Sequence, residues 1–279
     1  MHNLRAIYII WYREVLRYLR NRSRLIGSFG MPILFLFIFG SGLSPVMGGL
    51  TEGMAPDDTG IDFVKFIFPG IIGMNVLMGS MMSGISIVWD REFGFLKEIL
   101  VAPISRTAVA LGKTLGGSTT GVIRGLLLLI FAPLIGVSIT AEMVVKLVPL
   151  LFLISFSITS LGVLIGARMQ STEGFQVIMQ FILMPMIFVS GALFPMRDLP
   201  VWMNFLVKVN PVTYAIDPLR KIIFEAQGLP AFVLEMLPQA GLGVTLFGHA
   251  VTLGEDIAII ALFGAVMITV AVWMFNIQD

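Results

Sequence analysis

Few residues in this sequence have the types and spacing that catalytic chemistry requires. His2 and His249 are the only histidines, cysteine is absent, and neither a GxSxG nor an HExxH motif occurs. Zinc sites need several such ligands together, and serine-type catalysis needs a hydroxyl, an imidazole and a carboxylate together. The sequence therefore predicts no catalytic residue and no metal site, and we do not expect this chain to be an enzyme.

Gly112-Lys113-Thr114 resembles part of a nucleotide-binding loop, but the match is incomplete. A phosphate-binding loop needs a glycine five positions before Gly112, where this sequence has Thr107, and it needs a preceding strand. We therefore expect no cofactor in this chain. Any ATP and Mg²⁺ used for its work would be bound by a separate partner ATPase.

A dense group of charged residues lies in residues 89–113, between two long apolar runs. Helical spacing places four charged side chains on one face, namely Asp90, Arg91, Lys97 and Glu98. It places three apolar side chains on another face, namely Phe93, Leu96 and Leu100. Pro103 should end this helix because proline lacks an amide hydrogen. Such a helix, held between two spans, lies along the membrane surface and can pass a displacement to both; a solvated loop is the alternative.

Arg124 is the most notable charge within an apolar run. An arginine at such a position usually faces the interior of the helix bundle or a water-filled path. The alternative is that the side chain extends back to the inner headgroups. The sequence leaves both interpretations open.

Composition indicates the class of protein. Hydrophobic residues make up 57% of the chain and charged residues only 13%, which excludes an ordinary soluble domain. Because the apolar residues occur in long runs, we predict an all-α polytopic membrane protein with a single transmembrane domain, residues 1–279.

Six apolar runs are long enough to cross a hydrocarbon layer of about 30 Å. The predicted spans are 25–43, 66–89, 114–138, 147–167, 174–191 and 257–275. We expect a break at Phe68-Pro69-Gly70, near the outer end of the second span. Residues 1–24 form an amphipathic segment with arginines and aromatic residues on different faces, which is typical of an interfacial helix. Residues 90–113 form an inner loop, and residues 192–256 form a long external region interrupted by prolines.

The distribution of positive charge predicts the orientation. Arginines crowd residues 1–24 and recur in the 90–113 loop, whereas residues 44–62 are acidic. Because inner loops of membrane proteins are enriched in Lys and Arg, we predict that both termini are cytoplasmic. The membrane would be the plasma membrane, or the inner membrane of a bacterium.

The 90–113 loop resembles the first cytoplasmic loop of type-2 ABC exporter permeases. The similar residues are Arg91-Glu92-x-Gly94-x-Leu96-x-Glu98-x-Leu100-x-Ala102-Pro103-Ile104-Ser105-Arg106, followed by Gly112-Lys113. The resemblance implies that this loop contains a cytoplasmic coupling helix that docks on a separate ATPase subunit. The residues it implies for coupling are Arg91, Glu92, Phe95, Leu96, Glu98 and Pro103.

A second stretch resembles the re-entrant external segment that these permeases carry before the last span. It contains Ser190-Gly191-x-x-Phe194-Pro195, Leu199-Pro200-x-Trp202, Asn210-Pro211-x-x-Tyr214 and Asp217-x-x-Arg220. The resemblance implies half-helices that dip into the outer leaflet, with breaks at Pro195, Pro200, Pro211 and Pro218. Asp217 and Arg220 are i, i+3 neighbours, so a local ion pair between them is easy to form.

The resemblance implies the membrane subunit of an ATP-driven exporter for a lipophilic small molecule, a drug or a lipid-linked substrate. Its implied partners are an ABC ATPase, a second permease copy or a paralogue, and membrane lipid; we predict no nucleic acid. One alternative is export of polysaccharide or lipid-linked glycan by the same type of permease. Another is a gradient-driven secondary transporter, which would need ionisable residues near the membrane centre, where the sequence offers only Arg124.

Overall fold

The computed structural model describes residues 2–38, 63–93, 105–196, 199–229, 237, 241–246 and 248–277, and most of these are helical. The helices are α1 (His2–Arg20), α2 (Arg22–Phe37), α3 (Phe63–Met81), α4 (Ile85–Glu92), α5 (Arg106–Leu129), α6 (Ala141–Arg168), α7 (Thr172–Phe188), α8 (Val201–Val209), α9 (Pro211–Ala226) and α10 (Leu253–Ile277). Two short strands, β1 (Thr245–Leu246) and β2 (His249–Ala250), pair antiparallel between α9 and α10. The all-α prediction is thus confirmed for these residues apart from this small hairpin.

Some predicted features lie outside the described residues. They include the end of the first predicted span, residues 39–43, and the acidic stretch 44–62. They also include four residues that the resemblance implies for coupling, which are Phe95, Leu96, Glu98 and Pro103. The predictions for these residues remain predictions.

Three helical segments in the described chain are long and apolar enough to cross a membrane. They are Val64–Glu92, Ala141–Arg168 and Leu253–Asn276. Two shorter apolar helices, Leu25–Phe37 and Thr172–Phe188, coincide with the first and fifth predicted spans. The structure therefore confirms a helical membrane protein with three spans by length and composition, whereas the count of six remains a prediction.

The helix that contains the third predicted span begins at Arg106, well before residue 114. Ser105 caps it, because the Ser105 Oγ accepts a hydrogen bond of 3.1 Å from the amide of Ala108. The helix extends far enough ahead of the predicted span to bring Lys113 inside the bundle, where its side chain is 1% exposed.

The central helices pack closely through small residues. A methyl group added at Gly84 would overlap the Gly162 carbonyl, so the segment before α4 lies directly against α6. On the other side of α6, the Ser157 hydroxyl donates a 2.9 Å hydrogen bond to the Ile260 carbonyl of α10. Small residues allow backbones in membrane proteins to approach this closely, and a polar side chain then links them.

The second predicted span is interrupted, but not where the sequence suggested. Pro69 lies within the continuous helix α3, so the predicted break at residues 68–70 is wrong. A 3₁₀ turn at Met82–Gly84 separates α3 from α4 instead. Pro69 is the seventh residue of α3, so it removes the hydrogen bond that an amide there would donate to the carbonyl four residues earlier, and the helix continues past it.

Among the described residues between α7 and α10, two segments are helical, α8 and α9. Pro195 and Pro200 lie in the non-helical connections, and Pro211 begins α9 after the cap at Asn210. Pro218 does not break the chain, because it lies inside the continuous helix α9. The prediction of a break at each of the four prolines is therefore wrong for Pro218.

Helices α8 and α9 differ in their surroundings. Most of α9 is buried, because it packs against α3, α6 and α10. In contrast, α8 exposes most of its apolar side chains, and Trp202 is 65% exposed. The residues Phe194 and Pro195, which precede α8, are half-buried.

Candidate functional site

Helix α1 packs lengthwise along α5. Ile10 contacts Gly112, where a Cβ would lie 2.8 Å from the Ile10 side chain. Farther along, the Trp11 Nε1 donates a 2.9 Å hydrogen bond to the Thr119 Oγ1. The predicted amphipathic helix therefore exists, and one of its faces packs on protein.

Lys113 is the centre of a buried ion cluster that joins α1, α4 and α5. Its Nζ donates to the Asp90 Oδ2 at 2.6 Å and to the Ser86 Oγ at 3.0 Å. It also contacts the Glu14 Oε1 at 3.4 Å. Arg13 reaches the same Asp90 oxygen at 3.1 Å from the more exposed side. Two carboxylates and two cations thus hold three helices together.

The charges of this cluster depend on each other. Burial lowers the pKa of Arg13, but the carboxylates of Asp90 and Glu14 raise it by more, so that the pKa lies above its usual value. Removing one member of a buried ion pair strands the other, at a cost of about 3–5 kcal/mol. The cluster therefore connects α1 to α4 and α5, the two helices that flank residues 94–104.

We call the end of the bundle that carries Glu92 and Ser105 the loop end, because these residues flank segment 94–104. On its α4 side, the Arg91 Nη1 donates to the Met169 carbonyl at 2.8 Å and the Nη2 to the Ala167 carbonyl at 2.7 Å. The Thr172 hydroxyl, at the start of α7, donates to the Glu92 carboxylate. The last turn of α4 is therefore fixed to the α6–α7 connection.

The α5 side of the loop end is fixed to other elements. The Arg106 Nη1 donates to the Phe275 carbonyl, near the end of α10, at 3.1 Å. The Ser105 amide donates to the Asn3 Oδ1 of α1 at 3.3 Å. Segment 94–104 is therefore bracketed by residues that touch α1, α6, α7 and α10.

Arg124 lies inside the bundle rather than at its surface. The residue is 8% exposed, and its guanidinium lies 5.0 Å from the centre of the Tyr18 ring. A Cβ at Gly79 would lie 2.6 Å from its side chain, so Arg124 occupies the space that this glycine leaves. The side chain is thus packed among protein groups, and the two interpretations of its position in the membrane remain predictions.

In the predicted external region, polar side chains fix the connection between α8 and α9. The Asn210 Nδ2 donates to the Met186 carbonyl at 2.7 Å, and its Oδ1 accepts from the Val212 amide at 3.1 Å. The Tyr214 hydroxyl donates to the Lys208 carbonyl at 2.7 Å. Tyr214, which lies on α9, is therefore bonded to the last turn of α8.

The predicted ion pair between Asp217 and Arg220 is replaced by one with Lys221. The Lys221 Nζ lies 2.6 Å from the Asp217 Oδ2 and 2.6 Å from the Asp256 Oδ2. Both carboxylates are almost fully buried. Burial lowers the pKa of Lys221, and the two carboxylates raise it above its usual value. The i, i+4 spacing and the approach of α10 favour Lys221 over Arg220.

Arg220 instead holds backbone from two connections. It donates to the Leu242 carbonyl at 2.9 Å and to the Gly191 carbonyl at 2.7 Å, and its guanidinium lies 4.3 Å from the Phe66 ring centre. Burial lowers its pKa to about 10, although Asp217 acts in the opposite direction. Arg220 therefore ties the connections at Gly191 and Leu242 to α3.

Sequence reasoning missed three residues of these clusters. Lys113 was considered only as part of an incomplete nucleotide loop and of the motif that resembles exporter permeases, and Glu14 and Lys221 were not singled out. A signal for Glu14 exists, because it lies between Trp11 and Tyr18 on the face of α1 that packs. A carboxylate on a packed face needs a buried cation, which the sequence alone does not identify.

Metal binding finds no support in the described residues. Nowhere in them do three or more His, Cys, Asp or Glu side chains gather in a way that could hold an ion.

Among the residues predicted for coupling, only Arg91 and Glu92 lie among the described residues, and both contact the α6–α7 connection.

Comparison with known proteins defines the class. The sequence profile of the ABC-2 type transporter family matches residues 5–224, which include the loop end and the second resembling stretch, residues 190–220. The chain therefore belongs to the ABC-2 type transporter family. This membership confirms the resemblance that the motifs at residues 91–113 and 190–220 indicated.

Individual relatives have names that agree with this class. The inner membrane transport permease YadH of Escherichia coli K12 is 26% identical over 220 residues, which cover 77% of this chain and 81% of the relative. A chain named as a transport permease, ycf38, of Cyanophora paradoxa is 26% identical over 222 residues, covering 78% and 73%. Nodulation protein J of Rhizobium meliloti is 23% identical over 221 residues, covering 78% and 79%. The chain is thus a membrane permease by family, and catalysis is not the role of such subunits.

Proposed function

We propose that this chain is the membrane subunit of an ATP-driven exporter, and that a separate ATPase binds segment 94–104. The observation that carries the proposal is the bracketing of this segment. Arg91 holds the end of α6, and Arg106 holds the end of α10. A displacement of the segment would therefore reach several membrane helices at once, as an ATP-driven permease requires.

The ion cluster at Lys113 extends this coupling to α1. Because Lys113 and Asp90 lie on the two helices that flank the segment, the two helices move as a unit with Glu14 of α1. Closure of the ATPases would push the segment, and the spans would change from inward to outward access. ATP and Mg²⁺ would be bound by the partner, and both termini of this chain would be cytoplasmic.

Two permease copies, or one copy and a paralogue, would form the transport path. Only 17% of the apolar window of α10 is buried within the described chain, so this helix has a large surface for lipid or for another permease. We propose a lipophilic small molecule, a drug or a lipid-linked compound as substrate. Polysaccharide or lipid-linked glycan is the second candidate, since the family match does not distinguish the two classes of substrate.

The test is ATP-dependent export in proteoliposomes that contain the permease and the ATPase that co-purifies with it. Arg91→Gln should retain insertion and the fold but reduce export, because a neutral amide cannot hold the Ala167 and Met169 carbonyls together as a guanidinium does. Arg20→Gln, on an exposed position of α1, is the matched control and should export normally.

Two results would contradict the proposal. Normal ATP-dependent export by Arg91→Gln would show that the contact with α6 does not transmit the displacement. Export that needs an ion gradient and proceeds without ATP or any co-purifying ATPase would instead identify a secondary transporter.

A further inference from the structure

Two buried carboxyl groups meet where α9 packs against α10. Asp217 of α9 is 2% exposed, and Asp256, in the first turn of α10, is 0% exposed. The Lys221 Nζ lies 2.6 Å from an oxygen of each, so the two aspartates are close neighbours. They are also near enough for a hydrogen bond between them when one carboxyl group holds a proton.

Lys221 does not supply enough hydrogen bonds for both carboxylates. Of its three N–H groups, one donates to the Asp256 Oδ2 at 2.6 Å and another to the Val251 carbonyl at 2.6 Å. Its contact with the Asp217 Oδ2 is an ion pair, and neither oxygen of Asp217 has a hydrogen-bond donor among the described residues. The Asp256 Oδ1 lacks a donor in the same part of the chain. Three of the four carboxylate oxygens are thus buried without a hydrogen bond.

The ionisable groups nearby do not fill this gap. Arg220, whose charge acts on Asp217, donates its hydrogen bonds to the Gly191 and Leu242 carbonyls. Tyr214, which also lies near both carboxylates, donates to the Lys208 carbonyl. The helices that pack on α9 carry further ionisable residues, but within the described chain none of these forms an ion pair with Asp217 or Asp256. They are Lys65, Glu142, Lys146, Arg168, Lys208 and Glu255.

A shared proton would satisfy this arrangement. A buried carboxylate without donors is unfavourable in its charged form, and two carboxylates in one site repel each other, so that one of them retains a proton. A protonated carboxyl group is itself a donor, and it would supply the bond between the two side chains. The remaining carboxylate and Lys221 would then form one balanced ion pair.

We propose that Asp217 and Asp256 form a buried proton-binding site, in which the two carboxyl groups share one proton beside Lys221. The proton is a second connection between α9 and α10, in addition to the lysine. Its loss would leave two negative charges facing each other in a buried place, so a rise in pH weakens the contact between these two helices.

The first test is infrared spectroscopy of the purified full chain at neutral pH, in a detergent without ester groups, because lipid esters absorb near protonated carboxyl groups. The difference spectrum between the wild type and Asp256→Asn should contain the carbonyl band of one protonated carboxyl group, which moves to lower frequency in D₂O. Asp217→Asn should remove the same band, because the proton belongs to the pair.

The matched control is Glu225→Gln. Glu225 and Glu142 also flank one lysine, Lys146, but these side chains lie at the surface, so the difference spectrum of Glu225→Gln should contain carboxylate bands only. If both aspartate variants also lose carboxylate bands only, both aspartates are ionised and the proposal is overturned. A melting temperature that rises with sodium concentration, without any carboxyl band, would identify a metal cation in place of the proton and would overturn it as well.

A second test measures the folding equilibrium constant against pH. Above about pH 4 an aspartate of the unfolded chain has lost its proton, whereas the folded wild type keeps the shared one. Because the folded state then binds more protons, its stability falls as the pH rises, for as long as it holds this proton. Relative to Asp256→Asn, the folding equilibrium constant of the wild type should fall about tenfold per pH unit between about pH 5 and pH 7.

A ratio of the two constants that does not change with pH would overturn the site. If Asp256→Asn does not fold, Asp217→Asn takes its place, because either substitution leaves one carboxylate paired with Lys221. Neither test measures transport, so the outcome is independent of the proposed function.

Discussion

Lys113 is the single residue on which the joint between α1, α4 and α5 depends most. Replacing it by methionine leaves Asp90 and Glu14 without their buried cation. We expect Lys113→Met to lower the free energy of unfolding by about 3–5 kcal/mol, the usual cost of a stranded buried charge. Thermal unfolding of the purified protein in detergent measures this.

Lys146 gives the matched control for Lys113. It also contacts two carboxylates, Glu142 and Glu225, but all three side chains lie at the surface. Because solvent screens exposed pairs, Lys146→Met should leave the melting temperature almost unchanged. Equal melting temperatures for Lys113→Met and the wild type would show that the buried cluster does not stabilise the fold.

Lys221 joins α9 to α10. Its loss would leave Asp217 and Asp256 facing each other in a buried place without the cation that both contact. Lys221→Met should therefore loosen α9 from α10, with faster hydrogen exchange of the backbone amides of α9. Lys208→Met, at the end of α8, should not alter that exchange. Unchanged protection of α9 in Lys221→Met would mean that apolar packing alone holds this helix.

At the scale of elements, the predicted coupling helix rests on sequence, and Glu98 is its most informative residue. If its charged face meets the ATPase, Glu98 should approach a basic group there. Loss of one member of a desolvated interfacial pair costs about 2–5 kcal/mol, and reversal of the charge adds repulsion. Glu98→Lys should therefore insert normally but retain little ATPase on purification and export poorly.

The alternative for this element is a solvated loop. Exposed pairs contribute only about 0–1 kcal/mol, so a solvated Glu98 would tolerate the change to lysine. Normal ATPase retention together with normal export in Glu98→Lys would exclude the docking role.

Helices could be predicted from the sequence because apolar runs and helical spacing are local properties. The helices α3, α6 and α10 coincide with predicted spans, and α1 is helical where its amphipathic pattern lies. Prolines were less informative. Pro69 and Pro218 lie inside helices, so a proline in this chain does not by itself mark a helix end. Helices in membranes tolerate prolines because neighbouring groups can satisfy the freed carbonyl.

Contacts between distant residues could not be predicted in the same way. Lys113 and Glu14 are far apart in the sequence, and their approach requires α1 to lie along α5. Similarly, Lys221 rather than Arg220 pairs with Asp217 in the structure, because α10 brings Asp256 to the same place. A single sequence shows that a buried charge needs a partner, but the packing of helices selects which one.

At the scale of the whole molecule, the orientation in the membrane is the main prediction. The wild-type chain has no cysteine, so a single introduced cysteine is labelled without background. Cysteines at Asp57 and Asp279 should react oppositely with an impermeant thiol reagent added outside intact cells, with only Asp57→Cys labelled. Labelling at both positions would remove the model of six spans with cytoplasmic termini.

The 3₁₀ turn at Met82–Gly84 gives the second membrane segment the geometry of a lever. Helix α4, from Ile85 to Glu92, is the short arm, and it is about 12 Å long at 1.5 Å per residue. A rotation of about 10° at the turn would move the far end of this arm by about 2 Å, while α3 above it stays in place. Arg91 lies at that far end and grips α6 there. A small rotation at this turn would thereby shift α6, and the size of the shift would depend on the length of α4.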